Sequence, residues 1–358
     1  MKKILVTGSQ SYIGSVLTPY LRKNGYEVFG IDSGFIKDCL LYPHNDGETI
    51  YKDVRSITQK DLKGFDAVVY LAGISNDPFK NFDPAKVYDP VRTHTIKTAK
   101  LCKKLGIKFI FSSSCSVYGK GINDYYDESS KVFPQTPYSL NKLQIEGDLA
   151  KITDKSFTPI IFRFATAFGL SPRMRFDLVI NMFAAMAYTT GKIILNSDGQ
   201  AWRPFAHVED ICKAIKYAID FNPKKGEKII LNVGSTSENF QIIDLAKMVA
   251  KKVNGCKVSF LNKTTDPSLE LIKDRKIQDG VDSRNYKISF EKIRKIFPGF
   301  ECNWTVKKGM KSMLKKFKEV KLTKNDFQDI KFYRLQKLEW LIKNGYISED
   351  LFWLKKNL

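Results

Sequence analysis

Tyr138 and Lys142 are four residues apart, and a tyrosine and a lysine at this spacing could act together in proton transfer. Pro134 and Pro137 precede them and apolar residues recur after them at helical spacing, which predicts an amphipathic helix that begins at the second proline. Residues i and i+4 of a helix share a face, so the ammonium can lie beside the phenol. A free tyrosine has a pKa near 10, and a usable base near neutrality needs a decrease of roughly 3 units, which fixed cations can supply. Because such pairs also arise by chance, the role of this pair depends on the elements around it.

Length and composition limit the class of protein to which this chain can belong. At 358 residues the chain fits one large domain or two intimate ones. It has no run of about eighteen apolar residues, and Ile4-Leu5-Val6 is too short for a signal peptide. The six cysteines are scattered without a C-x-x-C pair, and only three histidines are present. The sequence therefore predicts a cytoplasmic protein with free thiols, no metal site and no membrane partner.

The formal charge of +21 raises the question of a nucleic-acid partner. The lysines are spread over the whole length, with only short doublets such as Lys103-Lys104 and Lys224-Lys225, and no basic run is interleaved with stacking aromatics. Solvated lysine-rich faces explain the charge better than a nucleic-acid interface. A basic cleft would still attract an anionic small molecule.

The N-terminal residues predict a β-α-β unit. Residues 2–7 read as a buried strand, Gly8 to Gly14 as a turn into a helix that ends near Asn24, and residues 26–31 as a second strand closed by Asp32. Such a unit sets a pyrophosphate on a helix N-terminus and a carboxylate on the adenosine ribose. The acid at Asp32 disfavours a 2′-phosphate and so favours NAD over NADP. A plain crossover without a ligand is the alternative.

Alternating strands and helices continue along the chain. Residues 67–73 and 108–112 read as buried strands and Lys86 to Leu105 as a long helix between them, which predicts a parallel sheet covered on both faces. The second of these strands leads into a serine cluster, and ligands of open α/β sheets lie beyond the carboxyl ends of strands. We expect Ser114 to hydrogen-bond a substrate oxygen, and Ser112 and Ser113 to terminate the strand.

These motifs occur together in one family. Thr7-Gly8 to Gly14, Asp32, Asp53-Val54, Leu71 to Gly73, the Ser114 cluster and Tyr138-x-x-x-Lys142 have the order and spacing of the extended short-chain dehydrogenase/reductases. Over roughly residues 1–300 the chain resembles their nucleotide-sugar epimerases and dehydratases. The resemblance implies bound NAD. It places the cofactor on Gly8, Ser11, Tyr12, Ile13, Gly14, Asp32, Asp53, Val54, Leu71, Ala72, Gly73, Tyr138 and Lys142. The family's middle glycine is Ser11 here, which implies a slightly tighter phosphate turn.

The resemblance also implies a site for a nucleotide-diphosphate sugar. Asn181 and Arg203 would hold the diphosphate and Arg284 would close over it, since arginine forks suit phosphate oxygens. Arg173 or Arg175 could reach substrate, and we expect Arg173 to do so; a solvated loop is the alternative. We expect His207 to be a packed residue rather than a catalytic base.

The predicted fold class is α/β: a Rossmann-type doubly wound parallel sheet with a smaller α/β C-terminal substrate domain and an appended helical tail. The NAD-binding domain covers 1–170 and also receives elements from about 200–235. The substrate region covers 171–302, interleaved with it. Residues 303–358 are basic and helical in composition and form the C-terminal extension, which packs on the substrate domain or a partner. A membrane-surface helix is the alternative for that extension.

The residues that follow Ser114 narrow the chemistry. The family's 4,6-dehydratases carry Asp-Glu there, and its decarboxylases usually carry an acid at the second place, whereas this chain has Cys115-Ser116. Its C3/C5 reductase-epimerases place a cysteine two residues before the loop tyrosine, and Cys115 lies three before Tyr118. Oxidation at C4 and return of hydride to the other face remain. The resemblance therefore implies a C4 epimerase in a homodimer, with a net dehydrogenase or 4-ketoreductase, or a dinucleotide-sensing or RNA-associated protein, as alternatives.

Overall fold

The computed structural model describes residues 1–75, 83–260 and 284–354. The strands in these ranges are β1 (Lys3–Thr7), β2 (Glu27–Asp32), β3 (Thr49–Tyr51), β4 (Ala67–Tyr70), β5 (Lys108–Ser114), β6 (Lys120–Tyr126), β7 (Ile160–Phe164), β8 (Thr166–Phe168), β9 (Lys192–Leu195), β10 (Trp202–His207), β11 (Ile229–Val233), β12 (Asn239–Gln241), β13 (Lys257–Phe260) and β14 (Asn285–Ile288). The first helices are α1 (Gly14–Lys23), α2 (Gln59–Leu62), α3 (Pro84–Leu105), α4 (Pro137–Ile152), α5 (Val179–Thr190), α6 (Val208–Asp220) and α7 (Ile242–Ala250). Helices Glu291–Ile296, Val306–Glu319, Lys324–Gln328 and Arg334–Lys343 follow.

Within the described residues, seven strands form a parallel sheet in the order β11-β7-β5-β4-β1-β2-β3. Residues of α3 and α4 pack on one face and residues of α1 and α6 on the other. This is the doubly wound Rossmann-type fold that the alternating pattern predicts. Strand order reverses between β1 and β4, so a crevice opens at their carboxyl ends, where such folds bind ligands. β11 joins the sheet from late in the chain by pairing with β7.

A second core lies beside this sheet. It joins α5, α7 and the short strands β8 to β10 and β12 to the helix Val306–Glu319. That helix buries Met310, Met313 and Phe317 while its lysines stay on the other face, which is the period of an amphipathic helix. The beginning of the C-terminal extension is therefore part of the substrate-side core. Among the described residues, no helix is both long and apolar enough to span a bilayer.

The rest of the extension runs back to the main sheet. Leu338, Leu341, Ile347 and Leu351 form a small apolar cluster of their own. Phe35, which follows β2, and Ile74, which follows β4, pack against that cluster. The chain's last described residues thus lie at the same edge of the sheet as the crevice.

Candidate active site

A cavity of about 660 Å³ lies across the carboxyl ends of the central strands. One wall consists of the turn after β1 and the ends of β2, β4 and β5. The opposite wall consists of residues of α5, of β9 and of the beginning of β14. The predicted site residues on its walls are Gly8, Ser11, Tyr12, Ile13, Asp32, Asp53, Val54, Leu71, Ala72, Gly73, Ser114, Tyr138, Lys142, Arg203 and Arg284. The fold therefore gathers into one cavity most of the residues that the sequence singles out.

Tyr138 and Lys142 stand in the first turns of α4. Thr136 caps this helix by accepting from the backbone N–H of Ser139 at 3.2 Å, and Pro137 occupies the first helical position, where its missing N–H costs nothing. The Lys142 Nζ donates to the carbonyl of Ser112 at 2.7 Å and lies 5.7 Å from the centre of the Tyr138 ring. The i, i+4 spacing thus brings the ammonium to the phenol, as the sequence predicts.

Burial of Lys142 changes its proton affinity. The residue is 5% exposed, and burial lowers the pKa of its ammonium to about 8, an effect opposed by the Glu146 carboxylate one turn further along α4. Glu146 is itself held by Arg163 through Nη2 at 2.7 Å. The lysine can therefore be charged at neutral pH yet loses its proton under mildly alkaline conditions.

The three serines at the end of β5 have different partners. The Ser112 hydroxyl donates to the carbonyl of Tyr70 at 3.0 Å, and the Ser113 hydroxyl donates to Glu146 at 2.5 Å. Ser114 Oγ accepts from the backbone N–H of Ser116 at 3.1 Å. Its hydroxyl donates to no protein group in the described part of the chain. Of the three serines at the end of β5, Ser114 is thus the one whose O–H remains for an oxygen atom in the cavity.

The phosphate turn depends on two glycines. Gly8 has φ +74°, and a Cβ there would lie 3.0 Å from the backbone nitrogen of Ala72; a Cβ on Gly14 would lie 2.1 Å from the carbonyl oxygen of Gly8. Gly14 lies beneath the turn and does not reach the cavity wall. Ser11 turns its hydroxyl back to accept from the Gly14 N–H at 3.0 Å. The serine in the glycine position therefore tightens the turn through a hydrogen bond of its own.

Two carboxylates mark the adenosine end. Asp32 is 7% exposed, and its two oxygens accept from the backbone N–H groups of Gln10 at 2.9 Å and Gly34 at 2.8 Å. Burial raises the pKa of Asp32, and these two hydrogen bonds oppose that rise. Asp53 accepts from Arg55 Nε at 2.9 Å. Asp32 is thus fixed where a ribose hydroxyl would meet it, while Asp53 already shares its charge with an arginine.

Three arginines line the substrate side. Arg203 donates through Nη1 to the carbonyl of Trp202 at 2.8 Å and to that of Arg284, and its guanidinium lies 5.4 Å from the ring of Tyr286. Arg175 donates to the hydroxyl of Ser75 at 2.9 Å. Asp282, in the motif that contains Arg284, lies outside the described residues.

Arg173 and Arg175 point to different places. Arg175 lines the cavity and pairs with Asp177 at 2.9 Å; although burial disfavours its charge, that carboxylate raises the pKa of Arg175. Arg173 is fully buried away from the cavity wall and pairs with Asp46 at 2.8 Å. Arg173 thus does not line the cavity, as a residue that reaches substrate would, whereas Arg175 does.

Asn181 is also placed away from the cavity wall. It is fully buried, accepts from the Gly169 N–H at 3.0 Å, and donates to the Tyr12 hydroxyl at 3.2 Å and to the Arg175 carbonyl at 3.2 Å. Every polar atom of its side chain is used inside the protein. Asn181 therefore positions the loop that carries Arg175 instead of holding a diphosphate directly.

Cys115 and His207 also lie away from the cavity wall. The Cys115 thiol is buried, donates to the carbonyl of Arg163 at 3.3 Å, and has a pKa that burial raises well above its usual value. His207 caps α6 through Nδ1, which accepts from the Glu209 N–H at 3.3 Å, and it stacks on Trp304 with ring centres 4.0 Å apart. Burial lowers the pKa of His207 to about 3. This is the packed histidine that the sequence leads us to expect.

The cavity lining also contains residues that the sequence does not single out, among them Arg55, Arg334, Leu338 and Leu351. Arg55 follows the Asp53-Val54 motif by one residue, so its proximity could have been noticed. Arg334, Leu338 and Leu351 come from the C-terminal extension, whose sequence carries a helical period and no ligand motif. No signal in the sequence places these three beside residues some 300 positions earlier.

The residues present fit NAD. The turn after β1 supplies a helix N-terminus without room for side chains at Gly8 and Gly14, and Asp32 stands at the end of the second strand. The cavity continues from there to Tyr138 and Lys142 without a break. NAD bound along this wall would supply a hydride acceptor next to the tyrosine.

Comparison with solved structures shows the same fold. A UDP-glucuronic acid 4-epimerase from Bacillus cereus, solved with UDP-glucuronic acid and NAD, superposes with a TM-score of 0.70 at 22% identity, covering 89% of this chain and 99% of that one. An NAD-dependent NDP-hexosamine 5,6-dehydratase of tunicamycin biosynthesis gives a TM-score of 0.73 at 19% identity, covering 89% and 98%.

Sequence relatives carry several activities in their names. A UDP-glucuronic acid decarboxylase of Xenopus tropicalis is 23% identical over 74% of this chain, and the match spans 64% of the decarboxylase's own length. A UDP-glucose 4-epimerase of Bacillus subtilis is 24% identical over 72% of this chain and 84% of its own length. The model of the NAD dependent epimerase/dehydratase family matches residues 4–234. This chain belongs to the NAD dependent epimerase/dehydratase family.

Proposed function

We propose that this protein is a nucleotide-sugar epimerase that acts through transient oxidation at C4 of the sugar. The observation that carries the proposal is that Ser114, Tyr138 and Lys142 line the same cavity. The two residues after Ser114 in the chain are Cys115 and Ser116, and neither is an acid. Elimination of water needs an added acid and base. At this end of the cavity, Asp177 is the carboxylate among the described lining residues, and it is paired with Arg175.

Each residue has a definite task in this reaction. Tyr138, as phenolate beside the Lys142 ammonium, takes the proton of the 4-hydroxyl and later returns it. Ser114 donates its hydroxyl hydrogen to the developing carbonyl oxygen. Bound NAD would supply the acceptor for the hydride from C4 and, once reduced, the donor that returns it. Rotation of the 4-keto sugar between these two events presents its other face and inverts the centre.

The substrate we propose is a nucleoside diphosphate sugar. Arg203 and Arg284 lie together on the wall opposite the phosphate turn, and guanidinium forks suit phosphate oxygens. Arg175 stands nearer the phenol, where it can contact the sugar; Arg173 and Asn181 have no such part. Relatives named for UDP-glucose and UDP-glucuronic acid make uridine the first nucleoside to test.

We also propose a homodimer built on α3 and α4. These helices pack side by side on one face of the sheet, and Arg92 of α3 pairs with Asp148 of α4 at 2.6 Å on their outward side. Light scattering of the purified protein tests this, and a mass of one chain would contradict it.

The reaction is tested by purifying the protein, denaturing part of it in acid to detect released NAD by mass, and giving the rest UDP-, dTDP-, CDP- and GDP-sugars. We expect a C4 isomer, identified by NMR, with no net NADH. Release of CO₂ from UDP-glucuronic acid would replace the proposal with decarboxylation. Stoichiometric NADH would replace it with net dehydrogenation. Turnover that requires added NADPH would make the protein a 4-ketoreductase, and binding of NAD without turnover of any sugar would make it a sensor.

A further inference from the structure

The last described part of the chain, residues 334–354, lies against the dinucleotide-binding side of the cavity; we call it the terminal segment. Trp353 donates its Nε1–H to the carbonyl of Ser33 at 2.6 Å, and its ring centre lies 5.3 Å from that of Phe35. Ser33 directly follows Asp32, the residue at the ribose position. The terminal segment is therefore attached to the loop that follows β2.

Arg55 attaches the same segment to the loop after β3. Its Nη1 donates to the carbonyl of Asp350 at 2.7 Å and its Nη2 to the carbonyl of Leu351 at 2.6 Å. Its guanidinium lies 3.4 Å from the centre of the Phe352 ring. Asp53 holds Arg55 in this position through Nε at 2.9 Å. The two loops that carry the adenosine-site carboxylates are thus both joined to the terminal segment.

Arg334 is the first residue of the helix Arg334–Lys343 and lines the cavity. It is 9% exposed, and its Nη2 donates to the carbonyl of Arg173 at 2.9 Å. No carboxylate in the described ranges forms an ion pair with it. Burial lowers the pKa of Arg334 to about 10, which reflects a charge without a close counter-ion. A buried, always-protonated guanidinium of this kind requires an anion or pays a large desolvation cost.

The neighbouring arginines have their own counter-ions. Arg173 pairs with Asp46 and Arg175 pairs with Asp177. Arg334 donates to the carbonyl of Arg173, and Ser171, two residues earlier in the same loop, donates its hydroxyl to the carbonyl of Tyr12 in the phosphate turn at 2.8 Å. Arg334 and Tyr12 thus line one cavity and are joined through this loop.

We propose that the terminal segment is part of the cofactor site: Arg334 pairs with the pyrophosphate of the bound dinucleotide, and Leu338 and Leu351 cover its adenosine half. The dinucleotide can then leave only after the contacts to Ser33 and Arg55 break. The proposal rests on the family's use of NAD and does not depend on which sugar reaction follows.

The diphosphate of the substrate is the other anion that Arg334 could meet. Arg203 and Arg284, which line the opposite part of the cavity with Tyr286, are better placed for it. Arg334 belongs to the helix that carries Leu338, and Leu338 lies in the apolar cluster against which Phe35 of the loop after β2 packs. This position favours the cofactor pyrophosphate.

The test compares Arg334→Met with Lys337→Met. Lys337 lies on the same helix one turn further, 4.4 Å over the Trp340 ring, and does not line the cavity. The measurement is the rate at which bound NAD leaves each full-length protein on dilution, followed by trapping released NAD with a coupled dehydrogenase. We expect Arg334→Met to speed release about 10-fold or more, as loss of a charge-assisted contact does, and Lys337→Met to match the wild type.

A second variant keeps the proposal testable if Arg334→Met does not fold. Trp353→Phe removes the hydrogen bond to Ser33 and keeps an aromatic ring, and it should also speed release, by a few-fold. Hydrogen exchange should show that added NAD slows exchange of residues 346–354. If NAD leaves both variants at the wild-type rate, the proposal is overturned. It is also overturned if Arg334→Met binds UDP more weakly while its NAD release is unchanged, because the guanidinium would then belong to the substrate site. A wild-type protein that binds no NAD overturns both the cofactor and its cover, whereas failure of epimerisation alone leaves the NAD measurements intact.

Discussion

The two ends of the cavity are built in different ways. The catalytic end consists of β5 and α4, which are close in the chain, with β6 between them, and are joined by the 2.7 Å hydrogen bond from Lys142 to Ser112. The adenosine end consists of the loops after β2 and β3 and the terminal segment, which are joined by contacts such as the 2.6 Å bond from Trp353 to Ser33. If the proposed roles hold, the chemistry belongs to a local unit, and retention of the cofactor belongs to parts that meet only in the folded protein.

This difference leads to separable effects. Substitutions at the catalytic end should lower turnover much more than cofactor retention, and substitutions at the adenosine end should do the reverse. A variant that breaks this separation would show that the two ends act as one unit.

The largest effect is expected for Tyr138→Phe. Loss of a general base costs about 10²- to 10⁴-fold in turnover, since the phenol oxygen is the group that accepts the proton. NAD copurifying with the variant should fall far less than kcat. Tyr125→Phe is the matched control, because Tyr125 is 49% exposed and lies outside the cavity lining. Turnover of Tyr138→Phe within tenfold of wild type would contradict the assignment of the base.

The catalytic end could be predicted from the sequence because its determinants are local. The proline before Tyr138 sets the start of α4, the i, i+4 spacing sets the face of Lys142, and Ser114 follows a strand that is recognisable from its apolar residues. The order of the central strands follows from the βαβ alternation in the same way. The elements begin within about two residues of their predicted positions, for example α3 at Pro84 rather than Lys86.

The rest could not be predicted, because it depends on contacts between distant residues. Arg173 and Arg175 are equivalent in the sequence, and only the loop geometry, with Asp46 on one side and Asp177 on the other, separates them. Asn181 is an apt diphosphate ligand by type, yet Tyr12 and Gly169 use its side chain. The terminal segment reads as an amphipathic helix, and its period does not tell which surface it covers.

Lys142→Arg is expected to change the pH dependence of turnover. Burial lowers the pKa of Lys142 to about 8, so the charge beside Tyr138 is lost as the pH rises through that value and wild-type turnover should fall above it. Arginine stays protonated to a pH above about 12, so the variant should lose this alkaline decrease, at a plateau roughly 10-fold lower because the larger group fits poorly. The pH profile of kcat measures it. A decrease near pH 8 in both proteins would assign it to another group.

Arg55→Met should act at the other end and more weakly. It removes the two bonds to the carbonyls of Asp350 and Leu351, so the terminal segment should open more often and NAD should leave several-fold faster. Arg294→Met is the control, since the ion pairs that Arg294 forms with other described residues, Glu291 and Glu301, are exposed. Release rates are compared by dilution with an NAD trap. Equal rates would show that Arg55 does not fasten the segment.

The smallest effect on turnover is expected for His207→Asn, because His207 lies at neither the catalytic end nor the adenosine end of the cavity. Asparagine is a good helix N-cap, so α6 should keep its start, and kcat at pH 7 should stay within twofold of wild type. A decrease of 100-fold would instead make His207 a catalytic base. Stability gives a second readout because the histidine is buried and neutral. Its pKa is about 3 in the folded protein against 6.5 for the free side chain, so the unfolded chain binds a proton first as the pH falls.

The sign of the stability effect follows from that difference. Above pH 6.5 His207 is mostly neutral in both the folded and the unfolded protein. As the pH falls from 6.5 towards the pKa of His207 in the folded protein, protonation of the unfolded chain lowers the free energy of unfolding. At about 1.4 kcal/mol per pH unit, the wild type should lose roughly 2 kcal/mol between pH 6.5 and pH 5 that His207→Asn does not lose. Urea unfolding at the two pH values measures the loss. An equal loss in both proteins would mean that His207 takes up its proton in the folded state as readily as in the unfolded state, so that burial would not keep it neutral.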